Sequence, residues 1–218
     1  MSESLRIIVL SYTKYGESSI VLHTLSEECG RRSFMVRLGK KTTTGLFQPL
    51  NILECVYSPS RHGPLSTAHS FTSPYPLHGI RTNLKKNTMT LFMSEVLSRT
   101  IREGELDPDI YAWAEESILA LDTLEGTFAN FHLWFLLELC KRVGFAPSEE
   151  ELSPFAGTNL QEILRINRSS LPETLLLPLS GAQRSEMLRS ILNYMEHHLQ
   201  YPLKVNSLEI LREVFAAQ

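Results

Sequence analysis

Five cations, Arg31, Arg32, Arg37, Lys40 and Lys41, fall within the stretch GRRSFMVRLGKK (30–41), which holds no acid, in a chain of formal net charge −3. Guanidinium and ammonium groups gathered in this way suit a repeating anion. If the stretch is a strand, Phe34, Val36 and Leu38 share one face and Ser33, Met35 and Arg37 the other. Arg31 and Arg32 then stand at the turn entering the strand, Lys40 and Lys41 at the turn leaving it. Successive phosphates of a single nucleic-acid strand lie about 6–7 Å apart, the spacing of alternate residues along a β-strand. Each phosphate neutralised releases counterions, so affinity for such a partner depends steeply on salt. TTTG (42–45) adds hydroxyls suited to phosphate contacts that carry no sequence code. Lys14, Arg81, Lys85 and Lys86 extend the candidate basic surface. Phe47, Tyr57 and Tyr12 are candidate platforms for stacked bases, or core residues. The competing reading is a solvated strand edge guarded by cations, and charge alone does not separate the two.

Charge is divided unevenly along the chain. Residues 1–86 carry 11 Lys/Arg against 5 Asp/Glu, and residues 87–218 carry 10 against 19. A split of that size assigns an anionic partner to the first half.

Other chemistry finds no support. Cys29, Cys55 and Cys140 are scattered singly, without the close pairs that zinc sites use. His197 and His198 are adjacent, so on a helix they point about 100° apart and chelate poorly. No metal and no cofactor are expected. KYGESS (14–19) is not a nucleophile elbow and reads as a hairpin turn. RLGKKTT (37–43) lacks the first glycine and the spacing of a Walker loop. Glu138, inside an apolar segment, reads as a structural carboxylate. The chain is not expected to be an enzyme, and no small-molecule substrate is expected. No apolar run reaches the roughly 18 residues of a membrane span, and an acid stands where a secretory signal would have basic residues. No membrane association and a cytoplasmic location are the expectations.

The elements that must position the cations are of two kinds. Residues 5–12, 18–25, 32–38, 51–57 and 66–73 are short, β-branched or aromatic and roughly alternating. Gly16, Gly30, Gly39, Gly45, Pro49, Pro59, Gly63 and Pro64 punctuate them. Five such strands fit a small barrel, with an OB-fold as the leading candidate and an SH3-like barrel giving nearly the same pattern. After Pro76 the pattern becomes helical. Helices are expected over 84–101, from Asp107-Pro108, over 128–143 as the buried centre of a bundle, over 181–200 capped by Ser180, and from Asn206 with Glu209 in capping-box spacing. Gly144 and Pro147 end the central helix. Residues 146–180 read as loops with one short helix near 159–166. The fold class is therefore α+β: an N-terminal OB-fold β-barrel (1–78) followed by an all-α helical domain (79–218), with no zinc finger.

VLSYTKYGESSIVLHTLSEECGRRSFMVRLGKK resembles the N-terminal signature of the RecO family of bacterial DNA repair proteins. LFQPLNILECVY matches the strand that follows in that family, in wording most like its Bacteroidetes members. FHLWFLLELCKRVGFAP resembles the family's central helix with its G-F/Y-x-P end, and SLEILREVF (207–215) its last helix. The resemblance covers most of the chain and is weakest over 146–200. It implies a recombination mediator that binds single- and double-stranded DNA, anneals complementary strands, and works with RecR to load a RecA-type recombinase onto DNA coated by single-stranded DNA-binding protein. It places the family's basic OB face on Arg31, Arg32, Arg37, Lys40 and Lys41. Two departures stand out. Many relatives carry four zinc-binding cysteines after the G-F-x-P end, and SEEELSPFAG (148–157) has none. The basic loop after Lys41 continues in threonines where relatives often hold more cations.

Two other readings remain at this point. One is an adaptor that recruits single-stranded DNA-binding protein and RecR with little DNA affinity of its own, an acidic partner tail docking against Arg142, Arg165, Arg168 or Arg189. The other, a small RNA-binding OB protein, leaves the large helical domain without a role.

Overall fold

The computed structural model describes residues 3–39, 44–60 and 65–216. Five strands, β1 (Glu3–Tyr15), β2 (Ser19–Ser26), β3 (Gly30–Arg37), β4 (Ile52–Ser58) and β5 (Ser66–Thr72), close into a barrel in the order β1-β2-β3-β5-β4. That is the expected OB-type barrel, with all neighbours antiparallel except β3 and β5, which meet in parallel over two residue pairs. Alternation fills the interior with Leu5, Ile7, Val9, Ile20, Leu22, Phe34, Val36, Leu53, Cys55, Tyr57 and Ala68. Phe47, from a 3-10 turn (Thr44–Phe47), joins them. Burial holds the Cys55 thiol protonated by pushing its pKa up to about 12.

β1 does not keep one phase. Val9 pairs with Thr24 but Ser11 pairs with His23, so Leu10 is an extra residue at a β-bulge. Before the bulge the odd residues point inward, and after it Tyr12 and Lys14 take that phase, opposite Leu22 and Ile20. The bulge turns the far end of β1 outward into solvent, where residues 11 to 15 are all exposed.

The chain groups into two compact units, Met1–His78 with Leu97–Leu119, and Gly79–Val96 with Ala120–Gln218. The first unit thus contains, besides the expected 1–78, a helical segment from further along the chain. α2 (Leu84–Thr100) and α3 (Pro108–Thr123) each contribute to both units. α3 starts as expected, with Asp107 Oδ1 accepting the amides of Asp109 and Ile110. Within the first unit the segment 101–105 runs against β3. Gly104 N donates to Arg31 O at 2.8 Å, and Arg31 forms a parallel bridge with Glu103. Gly30, at φ +63°, lies so close that a Cβ would overlap the Glu105 carbonyl. Glycine is required there on both counts.

In the second unit α4 (Phe131–Arg142) is buried along most of its length. Asn130 anchors its start by donating to the Thr174 and Leu177 carbonyls at 2.9 and 3.0 Å. Gly144, at φ +91°, ends it, and Phe145 N donates to Cys140 O. The stretch 146–180 holds three helices, not one: α5 (Glu149–Ala156), α6 (Leu160–Arg168) and α7 (Leu171–Leu175). Two capping boxes, Ser148 with Glu151 and Ser170 with Glu173, start the outer two. Pro172 sits in the first turn of α7, where its missing N–H costs little. Pro154 and Pro172 are therefore inside helices. α8 (Gly181–Leu199) is capped by Ser180 as expected. α9 (Leu208–Ala216) begins after Ser207 rather than Asn206, because Glu95 takes the Ser207 amide and hydroxyl at 3.0 and 2.9 Å. No described helix is long and apolar enough to cross a membrane.

Candidate nucleic-acid interface

The outer face of β1, β2 and β3 is set by register. Three cross-strand rows share it: Tyr15–Ser19–Arg37, Thr13–Val21–Met35 and Ser11–His23–Ser33. Residues at the two ends of one row are two strands apart, about 10 Å. Tyr15 is 61% exposed, so an aromatic ring and the exposed Arg37 cation flank a serine on one open row. Tyr12, 37% exposed, and Lys14 stand on the opposite phase of the same hairpin end. An open three-stranded face with one ring, one cation and hydroxyls can stack a base and contact phosphates together. One acid, Glu17, is exposed in the hairpin turn beside it.

The start of β3 has a different environment. Arg31 lies on the outer phase, opposite Leu25, and its Nη1 donates to the Ile101 carbonyl at 3.3 Å. Its Nε is buried without a hydrogen-bond partner among the described residues. Ile8 and Leu25, on the same phase, are fully buried, and Arg6 Nη1 meets Glu115 Oε2 at 3.4 Å on that face. Burial and the Arg6 charge act oppositely on Glu115, and burial wins, raising its pKa. Segments 97–119 thus cover this part of the barrel, and Arg31 serves the fold. Arg32 is exposed but takes the inward phase, opposite Thr24, at the barrel's rim. It lies five residues, about 17 Å, along the strand from Arg37.

A hydrogen-bonded chain marks the boundary between the two environments. Ser33 Oγ donates to Glu103 Oε1 at 3.0 Å, so the Ser33 oxygen accepts from His23 Nδ1 at 2.9 Å. His23 Nε2 then accepts from the Thr13 hydroxyl at 3.3 Å. Burial, with Arg31 adding to it and Glu103 opposing, lowers the His23 pKa, and the ring is held neutral.

The remaining sequence candidates are scattered. Lys40 and Lys41 lie outside the described residues. Lys86 is 4% exposed, donates to the Asp122 carbonyl at 2.8 Å and stands over the Phe128 ring, so it is a buried structural cation and leaves the DNA-facing set. Burial lowers its pKa, with Asp122 and Glu125 opposing. Arg81 is half-buried and donates to Asn87 Oδ1 at 3.1 Å, and Lys85 stands over the Phe215 ring at 5.9 Å. Both belong to the second unit. Phe47 and Tyr57 are core residues. Tyr15 was missed by the sequence reading. Its signal was its place next to Gly16 at a hairpin tip, where a side chain has nothing to pack on.

Of the arginines expected to meet a partner tail, Arg142 pairs with Glu138 at 2.8 Å and Arg165 with Glu162 at 3.9 Å, while Arg168 and Arg189 are exposed. They occupy three helices, α4, α6 and α8. Among the described residues no group of three His, Cys, Asp or Glu is placed to hold a metal ion.

Two family models match the chain: Recombination protein O N terminal over residues 1–74 and Recombination protein O C terminal over residues 81–152. Similar curated proteins carry the name DNA repair protein RecO. That of Flavobacterium psychrophilum is 31% identical, covering 97% of this chain and 98% of the relative. That of Bacteroides fragilis is 30% identical, covering 95% and 97%, and that of Porphyromonas gingivalis 29%, covering 96% and 98%.

Proposed function

The chain belongs to the RecO family of DNA repair proteins, and on that premise we propose that it is a DNA-binding recombination mediator acting in the cytoplasm. In this reading it anneals single strands and, with RecR, helps load a RecA-type recombinase onto DNA coated by single-stranded DNA-binding protein. Residues 1–78 are the nucleic-acid-binding domain and 79–218 the helical domain. The protein contributes binding and positioning, with no bond made or broken by its own side chains.

The observation that carries the proposal is the open row Tyr15–Ser19–Arg37, with Lys14 and Tyr12 exposed on the opposite phase of the same hairpin end. A ring stacks on any base, and a cation pairs with any phosphate, so the surface is suited to strands of arbitrary sequence. An annealing protein needs that tolerance, because it must hold a strand while leaving base edges free to pair. Arg32 and the cations Lys40 and Lys41 add to the positive field of this half of the chain.

Fluorescence anisotropy of labelled single-stranded DNA across a salt series tests this. Wild type is expected to show a steep negative slope of log affinity against log salt. The Lys14→Ala/Arg37→Ala variant is expected to be shallower by about 0.7 per lost phosphate contact. Undetectable binding by both proteins at low salt overturns the proposal and favours the adaptor reading.

A further inference from the structure

Arg184, in the first turn of α8, is a buried cation without a matching anion among the described residues. It is 7% exposed, and burial lowers its pKa with no carboxylate opposing. Its Nη1 donates to Leu179 O at 2.6 Å and its Nη2 to Phe215 O at 3.5 Å, both neutral carbonyls. Its Nε is buried and has no acceptor among the described residues. A desolvated guanidinium is ordinarily matched by a negative charge, since neutral acceptors recover only part of the lost hydration.

Next to it lies a cavity of about 10 Å³, lined by His132, Gly181, Arg184, Ser185, Arg212 and the apolar groups of Leu188, Leu211 and Phe215. No lining residue is acidic. The amides of Gly181 and Ala182 precede the first intrahelical acceptor of this 19-residue helix and present its positive end. Arg212 adds a second guanidinium from α9. His132, 3% exposed, contributes no charge, because burial and the nearby Arg184 push its pKa down to about 3. The space holds one particle the size of a water molecule. We propose that this cavity, formed by Arg184, Arg212 and the start of α8, binds one small monovalent anion of the halide class and so fastens α9 in place. The proposal concerns the second unit alone and does not rest on nucleic-acid binding.

The test uses the full chain at constant ionic strength, with chloride exchanged for gluconate, together with a crystal grown in bromide. Chloride is expected to raise the melting temperature of wild type by about 3 °C over gluconate. In Arg212→Gln, a half-exposed position that leaves the buried Arg184 in place, the difference should shrink by half or more. An anomalous bromide peak should appear within hydrogen-bond distance of Arg184 Nε. Absence of that peak overturns the proposal and leaves an ordinary water as the occupant. A peak without the chloride-specific shift marks an adventitious ion only, and overturns it as well.

Discussion

Arg31 and Arg37 stand on one strand, on one outer phase, six residues apart, and the fold treats them oppositely. Arg31 faces segment 101–105 and gives its guanidinium to the Ile101 carbonyl. Arg37 ends the strand where the β1–β2 hairpin projects past the barrel, and it remains exposed beside Tyr15 and Ser19. The difference is one of cover. A cation under a packed segment can turn only to local acceptors, and each donor left dry costs stability. A cation at an open hairpin end keeps its hydration until a ligand replaces it. Positive charge in a stretch of sequence therefore overstates the charge available to a partner.

The largest test of this contrast is Gly30→Ala. The left-handed backbone and the overlap with the Glu105 carbonyl together predict a loss of about 3–5 kcal/mol, measured by urea denaturation. A loss below about 1 kcal/mol would mean that segment 101–105 is not fixed against β3, and the covered end would then be open. Tyr15→Ala is next, and should weaken single-stranded DNA binding by about 1–3 kcal/mol with little change in stability. Unaltered affinity would remove the open end from the interface. Arg31→Met should cost about 1–2 kcal/mol of stability while leaving the salt slope of DNA binding as in wild type. A slope reduced as much as by Arg37→Ala, about 0.7, would erase the distinction between the two arginines.

The smallest effect is set by His23, at the boundary. Its folded pKa is depressed, so the neutral ring is the folded form, while the unfolded chain takes up the proton near pH 6.5. Stability is accordingly full above that value and falls as pH drops below it. His23→Gln should make this acid limb less steep in melting curves taken from pH 7.5 to 5, the remaining slope including that of the buried His132. An unchanged limb would show that the His23–Ser33–Glu103 chain does not hold the ring neutral.

The barrel was legible because alternation and turn glycines are local signals. Phe34 and Val36 were placed in the core, and KYGESS in a hairpin, on those signals alone. The bulge at Leu10 was not legible, since it preserves an apolar run and changes only its phase. Two of the three helices of 146–180, α5 and α7, were missed for a related reason. Pro154 and Pro172 signal breaks unless the Ser–Glu caps beside them are given more weight. Lys86 illustrates the limit for site residues. LKKN at a helix start reads as a solvated basic turn, and only the position of the Asp122 carbonyl buries one of its two lysines.

The sequence by itself determined a β-barrel followed by helices, the core face of the third strand, the family and the concentration of cations before residue 42. The family rests on the resemblance of whole motifs, and the rest follows from periodicity, turn chemistry and composition, which are properties of neighbouring residues. Only the tertiary structure decided which cations face solvent, that Tyr15 stands open while Phe47 and Tyr57 are core, and that Arg184 is buried among carbonyls. Exposure depends on what a distant segment covers, and no local pattern records the approach of residues seventy positions away.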